Sequence, residues 1–390
     1  MVDKDKNKFK KVDKTETPKI VQGGDVLKIR EQLNLRFNSQ IAPEVKNKEI
    51  FIIPTGILSM DLAIGNGGLV TGRVMDIFGW EGTGKTLMCM TIGGYIQRCD
   101  KRDSGGNVVK RTVAFLDAEG TFSKKFASSA GMDPDSLILV QSTPEKILSG
   151  EDYFDIMAML IGQGVDYIIV DSCPALTPMQ VMMNDMGQGQ KATLSQLMSQ
   201  GLNKITPLVN ASGQTLVHFI NQKRQRPMSG FKQDPETETG GNALKFYSSY
   251  RFKIVRTEDI IKQVLGVDGQ LRNKKVGVRS CVSIIKNKTA PEPPVVTGTT
   301  YHFEFDVYFE PFKDGNGIEY HRGVDIVKDY FDTGVRSGVI KQAGAWFSFG
   351  NIKAQGEIDF IKKVREKPEI MADIRTEVFA KMGTVSSSIQ

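Results

Sequence analysis

The chain has 390 residues, 40 % of them apolar and 25 % charged, enough for one large core with smaller attachments. No apolar run is long enough to cross a membrane, and the lysine-rich 1–19 stretch lacks the apolar centre of a secretory signal. Four cysteines without C-x-x-C spacing argue against a disulfide framework or zinc site and for a reducing compartment, and a net charge of +6 permits a polyanionic partner without requiring one.

Residues 1–22 mix seven lysines with acids and threonines and predict a weakly ordered arm, either touching nucleic acid or simply solvated. An amphipathic helix follows over 25–38, with Val26, Leu27, Ile29, Leu33 and Phe37 on one face. One such helix cannot bury its stripe alone, so it must pack on its own core or on a neighbouring copy. The core is expected over 49–318, after an arm and docking helix over 1–48 and before a small C-terminal domain and tail over 319–390.

Within the core, a short helix at 56–65 leads into the apolar strand Val74, Met75, Ile77, Phe78. Gly79-Trp80-Glu81-Gly82-Thr83-Gly84-Lys85-Thr86 then fits G-x-x-x-x-G-K-[ST] between that strand and a helix over 87–99. Strand, glycine loop and helix are the context in which backbone N–H groups cradle a nucleoside triphosphate. Lys85 then reaches the β/γ-phosphates and Thr86 holds Mg2+.

A charged, glycine-rich surface connection is expected at 99–111. Buried strands end at Asp117 and Glu119, at Val140, and at Asp171, whose acid meets the Mg2+ water shell beside Thr86. A further strand, 215–221, contains His218, read as a core histidine, and ends in Asn221-Gln222. Alternating strands and helices predict an α/β core with a largely parallel sheet, with Gly79, Glu119, Asp171 and Gln222 at its carboxyl edge.

Two stretches leave this pattern. Residues 179–191 are rich in Met, Gln and Gly; residues 223–239 carry Lys223, Arg224, Arg226 and Lys232 around Pro227, Gly230 and Phe231. The second suits a phosphate backbone, with Phe231 against a base, or equally a solvated loop. Strands at 250–255 and 279–285 follow, the latter after a lysine-bearing hairpin and ending in Lys286-Asn287-Lys288; a helical lobe with a short hairpin at 345–349 fills 324–383.

From about Thr55 to Gly383 the chain resembles the bacterial-type RecA recombinases. The resemblance rests on 58–72 leading into the P-loop and on Phe115-Leu116-Asp117-Ala118-Glu119. It rests equally on Phe219-Ile220-Asn221-Gln222 with 235–237 and 239–247, on Lys286-Asn287-Lys288, and on Ala343-Gly344-Ala345-Trp346. It implies a RecA-type P-loop ATPase core with an N-terminal helical arm and a small C-terminal α+β lobe.

By resemblance, Glu119 activates the attacking water, the alternative being a second Mg2+-shell acid. Gln222 senses the γ-phosphate, while Lys286 and Lys288 reach a neighbouring subunit's ATP, though alone they read as two solvent lysines. Phe126 would stack on adenine. The two irregular stretches would be DNA-binding loops, with Met186, Gly187, Gln188 and Lys191 in the first. Lys223, Arg224, Arg226, Phe231 and Lys232 would act in the second, and Ser199, Gly240, Gly241 and Asn242 would contact the single strand. Lys245 and Phe246 would form the subunit interface.

The implied activity is DNA-stimulated ATP hydrolysis with Mg2+, helical filaments on single-stranded DNA, and strand exchange with homologous duplex DNA. The implied setting is recombinational repair and the SOS response, in a bacterial cytoplasm or a phage-infected cell, alongside single-strand-binding and mediator proteins.

Several residues depart from the family pattern. The first loop is methionine-rich where relatives are acidic, Gln196 and Asn203 replace arginines, the second loop is one residue longer, and Ser123 replaces an acid near the adenine. The acidic C-terminal tail is absent and the basic arm is extended, which predicts easier loading onto duplex DNA. A ring helicase of the same core fold, or a filament mediator without turnover, are the alternatives. Lys286 and Lys288 in place of an arginine finger weigh against the first; intact Lys85, Thr86, Glu119, Asp171 and Gln222 weigh against the second.

Overall fold

Val113-Ala114-Phe115-Leu116 and Tyr167-Ile168-Ile169-Val170 are apolar on both faces of the pleat, so they can be stable only with cover on both sides of the sheet. The computed structural model describes residues 51–102, 105–183, 193–225, 236–266, 268–289 and 302–382, with the backbone alone described at 193, 224–225 and 236–238. Among these residues one large sheet contains β1 (Arg73–Gly79), β2 (Val113–Asp117), β3 (Leu137–Gln141), β4 (Tyr167–Asp171) and β5 (Leu216–Gln225). It also contains β6 (Glu236–Glu238), β7 (Tyr250–Leu265), β8 (Leu271–Asn287), β9 (His302–Tyr308) and β10 (Gly323–Val324).

Their order across the sheet is β10-β9-β8-β7-β1-β5-β4-β2-β3, with β6 paired to β5. The pairs from β7 to β3 are parallel; β8, β9 and β10 extend the sheet antiparallel on one side. This is the α/β architecture expected from the alternating elements.

Ten helices are described: α1 (Leu58–Ile64), α2 (Lys85–Arg98), α3 (Lys124–Ser129), α4 (Gly150–Gly162) and α5 (Met179–Met183), then α6 (Thr193–Ser212), α7 (Ala243–Tyr247), α8 (Ile326–Arg336), α9 (Glu357–Glu366) and α10 (Glu369–Met382). Strand alternation sorts their partners. Tyr167 and Ile169 of β4 join the core under α2, while Ile168 and Val170 join a second core with α4 and α6. A third core joins Leu58 and Leu62 of α1 to α8, α9 and α10. Arg375 of α10 reaches back to α1, donating to Asp61 Oδ2 at 2.6 Å, and Asp61 also accepts from Thr55 N at 2.9 Å.

Three elements differ from the sequence reading. The 99–111 connection forms a small hairpin, Asp100–Arg102 with Val108–Lys110, held down where Lys101 and Arg111 both pair with buried Asp166. β7 and β8 run far beyond 250–255 and 279–285. Their distal halves form the expected lysine-bearing hairpin as a longer paired ribbon, with Lys275 pairing with Asp259 across it. The C-terminal lobe contains a three-stranded sheet, Lys341–Ala343, Trp346–Phe349 and Ile352–Gln355, rather than one hairpin. The arm and helix expected over 1–48 lie outside the described residues.

Candidate functional site

β1 ends against β7 so closely that a Cβ on Gly79 would lie 2.3 Å from the Ile254 carbonyl oxygen, and only glycine fits. Gly82 (φ +71°) and Gly84 (φ +86°) then turn the loop into α2, and a Cβ at Gly82 would meet only open space. Trp80, Glu81 and Gly82 are exposed, while Thr83 is anchored: its carbonyl accepts from Ser280 Oγ at 2.9 Å and its hydroxyl donates to Trp80 O at 2.8 Å. Lys85 Nζ lies under the loop, donating to Trp80 O at 2.7 Å and Gly79 O at 3.2 Å. Burial pushes its pKa down, against the opposing pull of Asp171, Glu119 and Glu81.

The acids come together because β2 and β4 are neighbours in register, Asp117 opposite Asp171. Just past them, the Ala118 and Glu119 amides donate to the Asp171 carbonyl at 2.8 and 3.2 Å, which fixes Glu119 beside the strand end. The Asp117 carboxylate accepts from the amides of Gly120, Thr121 and Phe122, closing the turn beyond it. Asp171 Oδ2 accepts from Thr86 Oγ1 at 2.8 Å. Burial pushes Asp171 up to about 7, the Thr86 hydroxyl opposes this, and Glu119 and Asp117 add to the rise.

Thr86 and Asp171 therefore supply two oxygens at one point, and no cluster of three or more His, Cys, Asp or Glu suited to a metal exists among the described residues. That donor set fits Mg2+, which keeps waters and takes its other ligands from phosphate oxygens.

Gln222 lies on β5 at the level of Gly79. Its Nε2 is 3.4 Å from Glu119 Oε1, the oxygen that also accepts from Ser172 Oγ. Past Gln222 the chain pairs with β6, with Lys223 opposite Glu238 and Arg224 opposite Thr237. Asn221 Nδ2 donates to Thr239 O at 3.1 Å, tying the two stems. Lys223 Nζ lies 5.9 Å from the Phe78 ring centroid. Arg226, Phe231 and Lys232, like Met186, Gly187, Gln188 and Lys191, lie outside the described residues, as does the Arg224 side chain.

Gly240 (φ +84°) and Gly241 (φ +77°) turn the chain into α7, where a Cβ on Gly241 would lie 2.8 Å from Ser195 Oγ of α6. Asn242, at the N-terminus of α7, and Ser199 of α6 are exposed, as is Phe246, at 72 %. Lys286 Nζ donates to the carbonyls of Lys245 and Phe246 at 2.6 and 3.2 Å. Burial, with Lys288 and Arg251 nearby, lowers its pKa. Lys286 and Lys288 are not brought to this chain's own P-loop. Lys286 is level with Asp76, about 10 Å along the strand from Gly79.

Phe126, on α3, is half-buried, and Arg322 Cζ lies 4.4 Å over its ring. Ser123 caps that helix, accepting from Phe126 N at 3.1 Å. Sequence reasoning placed Asp117 and Asn221 at strand ends without giving them a role in the site, and gave none to Ser172 and Arg322. The first three adjoin or follow the strand ends it selected, so asking which side chains those ends orient would have found their roles. Arg322 carried no signal.

The glycine loop, the lysine under it and the acids at the carboxyl edge of a parallel sheet define a P-loop nucleotide-binding protein of the α/β class. Sequence comparison narrows this. A family described as the RecA N-terminal domain matches residues 35–304, and one described as the RecA C-terminal domain matches 328–383. Protein RecA of Thermus aquaticus is 35 % identical over 345 residues, covering 88 % of each chain. Protein RecA of an Arthrobacter species is 36 % identical over 336 residues, 86 % of this chain and 83 % of that one. Protein RecA of Caulobacter vibrioides is 35 % identical over 332 residues, 85 % and 81 %. The chain belongs to the RecA family. No helix among the described residues is long and apolar enough to cross a membrane.

Proposed function

We propose that this chain is a DNA-dependent ATPase that assembles as a helical filament on single-stranded DNA and exchanges strands with homologous duplex DNA in recombinational repair. ATP is its nucleotide and Mg2+ its metal, and single-strand-binding and mediator proteins are its further partners. The ATPase core and the small C-terminal domain are divided near residue 318. The observation that carries this reading is that Lys85, Thr86, Asp171, Glu119 and Gln222 converge at one sheet edge, and that the strand bearing Gln222 continues into the cationic 223–239 stretch.

The loop amides and Lys85 hold the β/γ-phosphates, and Thr86 with Asp171 would hold Mg2+, which would neutralise phosphate charge. Glu119 takes a proton from the attacking water as the water oxygen bonds to the γ-phosphorus and the bond to ADP breaks. Gln222 exchanges its contact with Glu119 for one with the γ-phosphate, and the stems it shares with Asn221 and Thr239 carry that change into the DNA loop. Lys286 and Lys288 serve the site of a neighbouring copy, and their distance from the chain's own P-loop supports this. Phe246 is the exposed contact between copies.

The test is ATP hydrolysis with and without single-stranded DNA, with the same samples imaged for particles. DNA stimulation together with filaments of DNA length is the expected result. Closed rings, or hydrolysis indifferent to DNA, would overturn the reading.

A further inference from the structure

Both stretches assigned to DNA leave the sheet through residues that donate to one carboxylate oxygen. Gln222 Nε2 approaches Glu119 Oε1 at 3.4 Å from β5, and Ser172 Oγ donates to the same Oε1 from the end of β4. Glu119 Oε2 takes part in neither bond. Ser172 is almost fully buried, at 1 % exposure, so its hydroxyl has a fixed partner rather than water.

The path from Ser172 to α5 is stiff. Ala175 N donates to Ser172 O at 3.0 Å and Leu176 N to Cys173 O at 3.2 Å, closing a tight turn whose Cys173 and Leu176 side chains are buried. Thr177 O accepts from Gly150 N at 2.7 Å, and Met179 N donates to Glu151 Oε2 at 2.8 Å, so the segment is docked on the start of α4. Leu197 of α6, the helix on the far side of 184–192, crowds the same point: a Cβ on Gly150 would lie 2.2 Å from its Cδ2. Both stems of the methionine-rich stretch therefore bear on one place, and a push on either has little slack before it reaches Ser172.

We propose that Ser172 is a positioning residue through which the 179–191 stretch sets the orientation of the Glu119 carboxylate, in parallel with Gln222 for the 223–239 stretch. This rests on the reading of Glu119 as the base in ATP hydrolysis. Once Gln222 has moved to the γ-phosphate, the Ser172 hydroxyl is the donor left on Oε1, and it turns Oε2 toward the attacking water. A Ser172 displaced with its stem turns Oε2 away. Glu119 thus reads the state of both DNA stretches, and turnover is fast only when each has settled.

The test compares Ser172→Ala and Ser172→Thr with the unaltered protein. The readouts are kcat with and without single-stranded DNA, KM for ATP and the Kd for DNA. Ser172→Ala is expected to lower DNA-stimulated kcat by about tenfold, the worth of one hydrogen bond to a charged group. The ratio of stimulated to unstimulated kcat should shrink, while KM and Kd hold within about twofold. Ser172→Thr, which keeps the hydroxyl, should restore the ratio.

An equal fall with and without DNA, or no change in Ser172→Ala, would overturn the proposal. A fluorescent ADP analogue checks the fold of each variant; should the alanine variant fail to bind it, Ser172→Cys, a weak donor, takes its place with the same expectation. Hydrolysis by the unaltered protein that ignores DNA would instead defeat the proposed function, and that result is seen before any variant is made.

Discussion

Arg251 and Asp76 form an ion pair buried beneath the nucleotide loop, with Nε 2.9 Å from Oδ2 and the two side chains 8 % and 0 % exposed. They are register partners on β7 and β1, and the guanidinium also lies 4.5 Å over the Phe78 ring. Removing one partner leaves a desolvated charge, so Asp76→Ala should cost about 3 kcal/mol or more. The double variant Asp76→Leu with Arg251→Met should recover much of that loss. Denaturant unfolding of the unaltered protein, Asp76→Leu, Arg251→Met and the double variant measures the coupling, and strictly additive losses would show that the pair does not act as a unit.

Glu119→Gln keeps the shape of the side chain and its place beside Ser172 and Gln222 while removing its basicity. Nucleotide binding should persist, and hydrolysis should fall by about a hundredfold or more. Normal turnover in this variant would remove Glu119 from the role of base.

Arg224 lies on β5 next to Lys223, opposite Thr237, at the start of the cationic stretch. Arg224→Ala should weaken single-stranded DNA binding and lower the slope of log affinity against log salt by about 0.7, the contribution of one phosphate contact. A slope identical to that of the unaltered protein would take Arg224 off the list of phosphate contacts.

Asp329, on α8, accepts from Ser59 N at 3.3 Å and pairs with no cation among the described residues. Burial pushes its pKa from 3.8 up to about 7. Between about pH 4 and 7 the folded chain keeps a proton that the unfolded chain has lost, so stability falls as pH rises through that window and levels off above it. Asp329→Asn should remove about 2 kcal/mol of the stability difference between pH 5 and pH 8, read from urea unfolding. An unchanged difference would mean that another group carries the pH dependence.

The parts of this molecule readable in the sequence are those where one local pattern has one physical solution. Gly79 to Thr86 between a strand and a helix is such a case, as are the doubly apolar strands ending at Asp117 and Asp171. His218, read as a core residue from its apolar surroundings, is fully buried, and burial holds its pKa down at about 3. Its hydrogen bond with Tyr167 Oη, 2.7 Å from Nδ1, depends on strand order and could not be read locally. The full length of the β7–β8 ribbon could not be read locally, because its distal half packs Ile260, Val264 and Val276 against Tyr308, Ile318 and Tyr320, contacts set by the tertiary fold. Ser172 and Glu119 are separated by 53 residues, and only the adjacency of β2 and β4 makes them neighbours. The contact of Lys286 with α7 likewise arises from the folding of β8 onto β7.

The bond from Arg375 to Asp61 joins residues 314 positions apart. Asp61 is fully buried, and burial raises its pKa while Arg375 pulls it down. At about 5–20 residues per second, a ribosome takes roughly 16–60 s to travel from one to the other. For that interval the nascent chain holds a carboxylate without its cation and leaves Leu58 and Leu62 without their C-terminal cover. Maturation of the first helix of the core is therefore timed by synthesis of the last one.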